Sequence, residues 1–174
     1  MKSGIIILAE LPSPLREQVH AVQERYDPRM ARGLPPHVTI AGSSGMGPIA
    51  SSTTAAELRA ALEPITSATP PLSLKFGAPT RFMQTNVVSL PLDPHGPLRA
   101  LHEAIRKSGL RFEPPRFAFT PHCTLSFYPE LTNARAQELL SYRFSEPFVI
   151  DRIHVDLTTE LMEVSRVMTL SLAT

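Results

Sequence analysis

The chain has 174 residues, of which 43% are hydrophobic and 19% charged, a composition that fits one globular domain and excludes a disordered chain. Its formal net charge of +1 argues against a protein that coats long nucleic acids, since such proteins carry a dense basic stripe, but it allows binding of a small nucleotide or one RNA end. The single cysteine, Cys123, excludes an intramolecular disulfide and a multi-cysteine metal site.

The apolar spacing predicts short elements separated by proline-rich loops. A buried strand is predicted at 4–9; it is too short to cross a membrane and runs into Glu10 without a cleavage site, so we expect a cytoplasmic protein. The further predicted elements are, in chain order, a helix that Pro14 opens, a strand at 37–41, a helix after a capping box of Thr54 and Glu57, strands at 72–76 and 86–92, a helix after Gly96 and Pro97 that ends near Gly109, a strand at 117–127 that Pro121 interrupts, a helix at 132–142, and strands at 148–157 and 164–172.

Two stretches of the chain repeat the same order of features. Each has an apolar strand, a Pro-Leu-Arg triplet, a helix and then a Pro-His pair on a strand. The triplets begin at Pro14 and Pro97 and the pairs at Pro36 and Pro121, so the offset is nearly constant. We therefore predict one bilobal domain over residues 1–174, built from duplicated units at about 4–42 and 86–128.

Each predicted unit ends in a His-x-Thr-aliphatic motif. Because side chains alternate faces along a strand, His37 and Thr39 should share one face, and His122 and Thr124 likewise. The residue between each pair should point into the core, so Cys123 is predicted to be a buried small hydrophobe. If the two units pack about a pseudo-two-fold axis, the two polar faces meet across one cleft.

Two facing imidazoles suit phosphoryl transfer without a metal or cofactor. Histidine titrates near pH 6.5, so a neutral ring can take a proton from the attacking oxygen while a protonated ring gives one to the leaving oxygen. The hydroxyls of Thr39 and Thr124 can donate hydrogen bonds to the non-bridging phosphate oxygens. One such motif alone is typical of an ordinary strand histidine, but the matched pair favours catalysis by His37 and His122. Which ring is the acid stays open.

The segments at 36–40 and 121–125 resemble the paired His-x-Thr/Ser motifs of the 2H phosphoesterase superfamily, which includes LigT-like 2′,5′ RNA ligases and cyclic nucleotide phosphodiesterases. The resemblance implies an α+β fold of two pseudo-symmetric lobes, each an antiparallel sheet with helices packed outside, around a central cleft that carries both motifs. It also implies opening of a 2′,3′-cyclic phosphate, the reverse 2′,5′ ligation, or cleavage of a 2′-linked phosphodiester of a nucleotide or RNA terminus.

In some members of that superfamily an aromatic residue five positions after the second histidine stacks on the base. This position is Phe127 here, for which core packing is the alternative role, and Tyr128 is the neighbouring candidate. We expect a monomer that needs no membrane and no metal. Two other hypotheses stay open: a module that binds the RNA end or cyclic nucleotide without turnover, and a metalloenzyme, which would need a carboxylate or third histidine in the cleft.

Several other polar residues are weaker candidates. Arg32, Arg81 and Arg116 could contact phosphates, although a solvated arginine is the default expectation. His154 and Asp156 share a predicted strand face and could form half of a metal site, but a structural role is favoured. The remaining histidines are predicted to be solvated: His20, His95 and His102.

Overall fold

The structure, a computed structural model, describes residues 3–82, 85–127, 132–159 and 163–173. Within these ranges the strands are β1 (Gly4–Glu10), β2 (His37–Ala41), β3 (Leu72–Leu74), β4 (Thr80–Arg81), β5 (Val88–Pro91), β6 (His122–Ser126), β7 (Phe148–Ile150), β8 (Arg152–Thr158) and β9 (Val164–Ser171). The helices are α1 (Leu15–Tyr26), α2 (Pro28–Ala31), α3 (Ala55–Ala68), α4 (Pro97–Arg106) and α5 (Asn133–Ser141).

The strands form three antiparallel sheets. One sheet has the order β2-β1-β8-β9, a second has the order β4-β5-β6, and β3 pairs with β7. The helices pack against the strands, with α1 on β6, α4 on β2 and β3, and α3 on β9. The predicted α+β fold with antiparallel sheets is therefore confirmed. Among the described residues, no helix is long and apolar enough to span a membrane.

The two motif-bearing strands pair with their neighbours in the same way. Glu10 of β1 lies opposite His37 of β2, and Pro91 of β5 lies opposite His122 of β6. A shift in register interrupts both pairings at the corresponding place, a few residues before these pairs. This matching register supports our proposal that the domain contains a duplicated unit.

Alternation along the two strands separates a polar face from the core. Val38 and Ile40 of β2 are fully buried, as are Cys123 and Leu125 of β6. They join one continuous apolar core that extends to the first strand and to the helices. Burying these apolar side chains turns the opposite face of each strand, which carries the histidine and the threonine, away from the core.

Two predicted strands differ from the observed ones. The stretch at 148–157 is not one strand but two, β7 and β8, which separate at Asp151 because β7 pairs with β3 while β8 inserts between β1 and β9. The stretch at 117–127 is a strand only from His122 onward. Its first part instead follows the loop after β2, where Ser44 and Phe117 form an isolated bridge. The sequence also did not predict α2 or β4.

Candidate active site

Strands β2 and β6 pack against each other and bring the two motifs together. The side chains of His37, Thr39, His122 and Thr124 are half-buried. Burial raises the pKa of the Cys123 thiol to about 12, and a hydrogen bond from the backbone of His37 acts in the opposite direction. The backbone of His37 in the first motif therefore lies near the core residue of the second.

Both histidines are oriented by the same hydrogen bond, from the ring to the backbone carbonyl two residues earlier. The Nδ1–H of His37 donates to the carbonyl of Pro35 at 2.7 Å, and the Nδ1–H of His122 donates to the carbonyl of Thr120 at 2.7 Å. A carbonyl can only accept, so these bonds place the ring hydrogen on Nδ1 when the ring is neutral. Within the described part of the chain no residue hydrogen-bonds to Nε2 of either ring, which leaves this nitrogen to accept or donate a proton.

The electrostatic surroundings of the two rings differ. Burial lowers the pKa of both His37 and His122, and each is partly compensated by its backbone hydrogen bond. The carboxylates of Asp156 and Glu10 also act to raise the pKa of His37, whereas the charge of His122 lowers it. The first ring thus has acidic neighbours that favour its protonated form, and its pKa responds to the charge of the second ring.

A family model described as the 2′-5′ RNA ligase superfamily matches residues 11–156, which is most of the chain. The chain belongs to this superfamily, the 2H phosphoesterases. The resemblance inferred from the two motifs is thereby confirmed, and membership indicates a 2H phosphoesterase-type enzyme with a general role in phosphodiester cleavage or RNA processing.

Solved structures similar to this superfamily member share its fold. Escherichia coli LigT complexed with 3′-AMP has a TM-score of 0.62 and 15% identity, with all of each chain covered, and LigT complexed with ATP has 0.58 and 16% over the same coverage. Kluyveromyces marxianus Usb1 has a TM-score of 0.56 and 10% identity over 98% of this chain and 99% of its own. None of the curated proteins compared with the chain matches it.

Aromatic side chains lie close to the second 2H motif. The rings of Phe82 and His122 pack nearly perpendicular to each other, with their centroids 5.1 Å apart. Phe127 follows β6 directly, is 43% exposed, and its amide donates to the carboxylate of Asp27 at 2.8 Å. This exposure is compatible with base stacking and argues against core packing for Phe127. Tyr128 lies outside the described residues.

The remaining arginine candidates have different surroundings. Arg81 is exposed and its guanidinium donates to the carbonyl of Thr85 and to the side chain of Asn86. Arg116 is also exposed. Arg32 borders a cavity beside β8 and β9. Of these three arginines, only for Arg32 do the described residues therefore show a cavity at the side chain.

His154 and Asp156 belong to a polar network rather than to half of a metal site. Arg166 of β9 donates to Nδ1 of His154 at 2.8 Å, to the carboxylate of Asp156, and to Oε1 of Glu10 at 2.7 Å. In the part of the chain that the structure describes, no group of three or more His, Cys, Asp or Glu side chains is placed to hold a metal ion. Sequence patterns do not indicate the pairing of Glu10 with Arg166, because this pairing depends on the order of strands in the sheet.

The helix of each proposed unit, α1 in the first and α4 in the second, also hydrogen-bonds to the motif strand of the other proposed unit. From α4, His102 donates its Nδ1–H to the carbonyl of Ile40 at 2.8 Å, and from α1, Gln23 donates to the carbonyl of Thr124 at 2.8 Å. His102 is 1% exposed and its ring stacks on Phe119 with centroids 3.8 Å apart. The prediction that His102 is solvated was wrong. Its position one turn after the buried Leu98 was the available signal.

Ser44 connects the loop after the first motif to His122, the histidine of the second motif. Its buried hydroxyl accepts from the amide of Thr120 at 3.0 Å and donates to the Thr120 carbonyl at 3.4 Å. That carbonyl is the one that accepts from Nδ1 of His122. Ser44 therefore orients the peptide group that in turn orients the imidazole, which is the kind of support that fixes the tautomer and direction of a catalytic ring.

We expect Ser44→Ala to lower kcat by roughly fivefold with little change in KM, because one neutral hydrogen bond is worth on the order of 1 kcal/mol and the ring loses orientation rather than chemistry. Steady-state kinetics gives the split between kcat and KM, and ¹⁵N NMR of the imidazole reports the tautomer of His122. The matched control is Ser43→Ala, the exposed neighbour in the same loop. An unchanged kcat and an unchanged tautomer population would show that Ser44 is only a packing residue.

Proposed function

We propose that this protein is a metal-independent phosphodiesterase that opens 2′,3′-cyclic phosphates or cleaves 2′-linked phosphodiesters of nucleotides or RNA ends. The observation that carries the proposal is that His37 and His122 both bind a backbone carbonyl through Nδ1 and leave Nε2 available, on two strands that pack together. The complexes of LigT with 3′-AMP and with ATP support a nucleotide-type substrate. The reverse reaction, 2′,5′ ligation, uses the same groups.

The acidic neighbours of His37 support an assignment of roles. In the hydrolysis of a cyclic phosphate, His122 takes a proton from water as the water oxygen bonds to phosphorus. The bond from phosphorus to one ribose oxygen breaks, and His37 gives its proton to that oxygen. Burial lowers the pKa of both rings, but only for His37 do carboxylates, those of Asp156 and Glu10, act in the opposite direction, so we propose this ring as the acid. In ligation the two roles are exchanged.

Two other groups complete the proposed site. The hydroxyls of Thr39 and Thr124 share the strand faces of the histidines and donate to the non-bridging oxygens of the phosphate. Phe127 stacks on the base, with Tyr128 as the neighbouring candidate. A monomeric state and a cytoplasmic location stay predictions from the sequence.

A product screen tests the proposal. The substrates are a panel of 2′,3′-cyclic nucleotides and of 2′,5′- and 3′,5′-linked dinucleotides, and the control is the His37→Ala/His122→Ala double variant. We expect a cyclic substrate to give a nucleoside monophosphate, and a 2′-linked dinucleotide to give a nucleoside and a nucleotide. A chelator should not change the rate of either reaction. If the double variant forms the same products at the same rate, the assignment is wrong.

The same assay separates the alternatives. Tight binding of a cyclic nucleotide with no product after long incubation would favour a binding module, and loss of activity on chelation with recovery on adding a metal would favour a metalloenzyme. For the proposed mechanism the dependence of kcat/KM on pH is bell-shaped. Because burial lowers the pKa of both His37 and His122, its maximum should lie below the ordinary histidine pKa of about 6.5.

A further inference from the structure

A cavity of about 390 Å³ opens beside the first motif strand. It lies between the loop that leads into β2 and the ends of β8 and β9 that face it. Its volume falls in the range of pockets that hold small ligands, roughly 300–1,000 Å³. The residues that line it are Arg32, Gly33, Leu34, Asp156, Val164 and Arg166.

The cavity adjoins the His37 end of the proposed site. Its wall residue Arg166 donates to Glu10, and Glu10 is the residue directly opposite His37 in the sheet. Its wall residue Asp156 influences the pKa of His37. The loop at 32–34 leads within a few residues into the strand that begins at His37. A substrate whose phosphate lies between the two histidines can therefore extend into this cavity.

Two arginines line the cavity, Arg32 and Arg166, and the guanidinium of Arg32 is the one available to bind an anion. Arg166 is held by Asp156 and Glu10, so its charge is compensated by two carboxylates. Asp156 is itself only 1% exposed. Arg32 is exposed and forms no ion pair with any residue that the structure describes. Beside it, Val164 and Leu34 provide an apolar wall against which a sugar ring can pack.

We propose that this cavity is a second anion subsite, in which Arg32 binds a phosphate of the substrate other than the one that reacts. The inference rests on the proposed function for the position of the reacting phosphate. It assigns a narrower substrate class: an RNA terminus, or a nucleotide that carries a further phosphate such as a 5′-phosphate, in preference to a nucleoside cyclic phosphate. Guanidinium groups bind phosphate oxygens through charge-assisted, often bidentate hydrogen bonds. Arg32 is therefore the residue that recognises the additional phosphate.

Binding of product-like ligands tests the subsite without relying on turnover. Calorimetry compares adenosine 2′-monophosphate with adenosine 2′,5′-bisphosphate on the unmodified protein and on Arg32→Ala. We expect the bisphosphate to bind roughly tenfold more tightly than the monophosphate, and Arg32→Ala to remove this preference while leaving the affinity for the monophosphate within about twofold. Arg29→Ala, an exposed arginine in α2 that does not line the cavity, is the matched control and should keep the preference.

The possible outcomes separate this proposal from the proposed function. Equal affinity for both ligands, or an equal loss for both in Arg32→Ala, would overturn the subsite. A preference that depends on Arg32 in a protein that turns over no cyclic phosphate would support the subsite and contradict the proposed hydrolysis. If 5′-phosphoadenosine 2′,3′-cyclic phosphate and adenosine 2′,3′-cyclic phosphate are both hydrolysed, Arg32→Ala should raise KM for the first alone.

Discussion

Replacement of either histidine of the proposed site, as His37→Ala or His122→Ala, is expected to lower kcat for a 2′,3′-cyclic nucleotide by about 10²–10⁴-fold, the usual contribution of one positioned acid or base. KM should change much less, because each ring acts on protons that move in the transition state. The double variant should be little worse than the more damaged single variant, because the two groups act as a unit. Single-turnover product analysis measures these rates, with the exposed His95→Ala as the matched control.

The same variants test the assignment of acid and base. A 4-nitrophenyl phosphodiester of a nucleoside has a leaving group that departs without receiving a proton, so it makes the general acid unnecessary. On this substrate His37→Ala should recover most of its lost rate, whereas His122→Ala should stay impaired. Recovery in His122→Ala alone would reverse the two roles. Full activity of both single variants on the cyclic substrate would remove the histidines from the mechanism.

The part of the site that could be predicted from the sequence is the part encoded by local periodicity. Alternation along a strand places an imidazole and a hydroxyl on one face and apolar residues on the other, which is the arrangement seen around Val38 and Cys123. The recurrence of the Pro-His pair after a strand and a helix indicated that two such faces exist. These motifs carried the resemblance to the superfamily, and the resemblance implied the α+β fold; family membership and the α+β fold are both confirmed.

The rest of the site depends on contacts between residues far apart in the chain. The pairing of Glu10 with Arg166 requires that β8 insert beside β1 and that β9 follow it, and an apparently continuous strand at 148–157 gave no sign that it divides between two sheets. The bond from Ser44 to Thr120 likewise requires the two units to pack together. Such contacts follow from the strand order, which short-range patterns do not specify.

Removal of the threonine hydroxyls should have the second largest effect. In the proposed reaction, negative charge grows on the non-bridging oxygens, and loss of one preorganised donor to such oxygens commonly costs about 10²–10³-fold in kcat. Thr39→Val and Thr124→Val remove the hydroxyl but keep the shape and the β-branched side chain that suits a strand. Because both side chains are only half-buried and neither hydroxyl has a hydrogen bond to a residue that the structure describes, the thermal midpoint should change little.

The serine variants at these positions distinguish hydrogen bonding from packing. Thr39→Ser and Thr124→Ser keep a hydroxyl while losing a methyl group, so each should retain most of the kcat that the matching valine variant loses. Steady-state kinetics on a 2′,3′-cyclic nucleotide, together with thermal denaturation of each variant, gives both quantities. If serine and valine reduce kcat equally, the methyl group and not the hydroxyl is what the site needs. Because the two strands are related by the proposed duplication, substitutions at Thr39 and at Thr124 should lower kcat by similar factors. A clear difference between the two positions would mean that the substrate contacts the two threonines unequally.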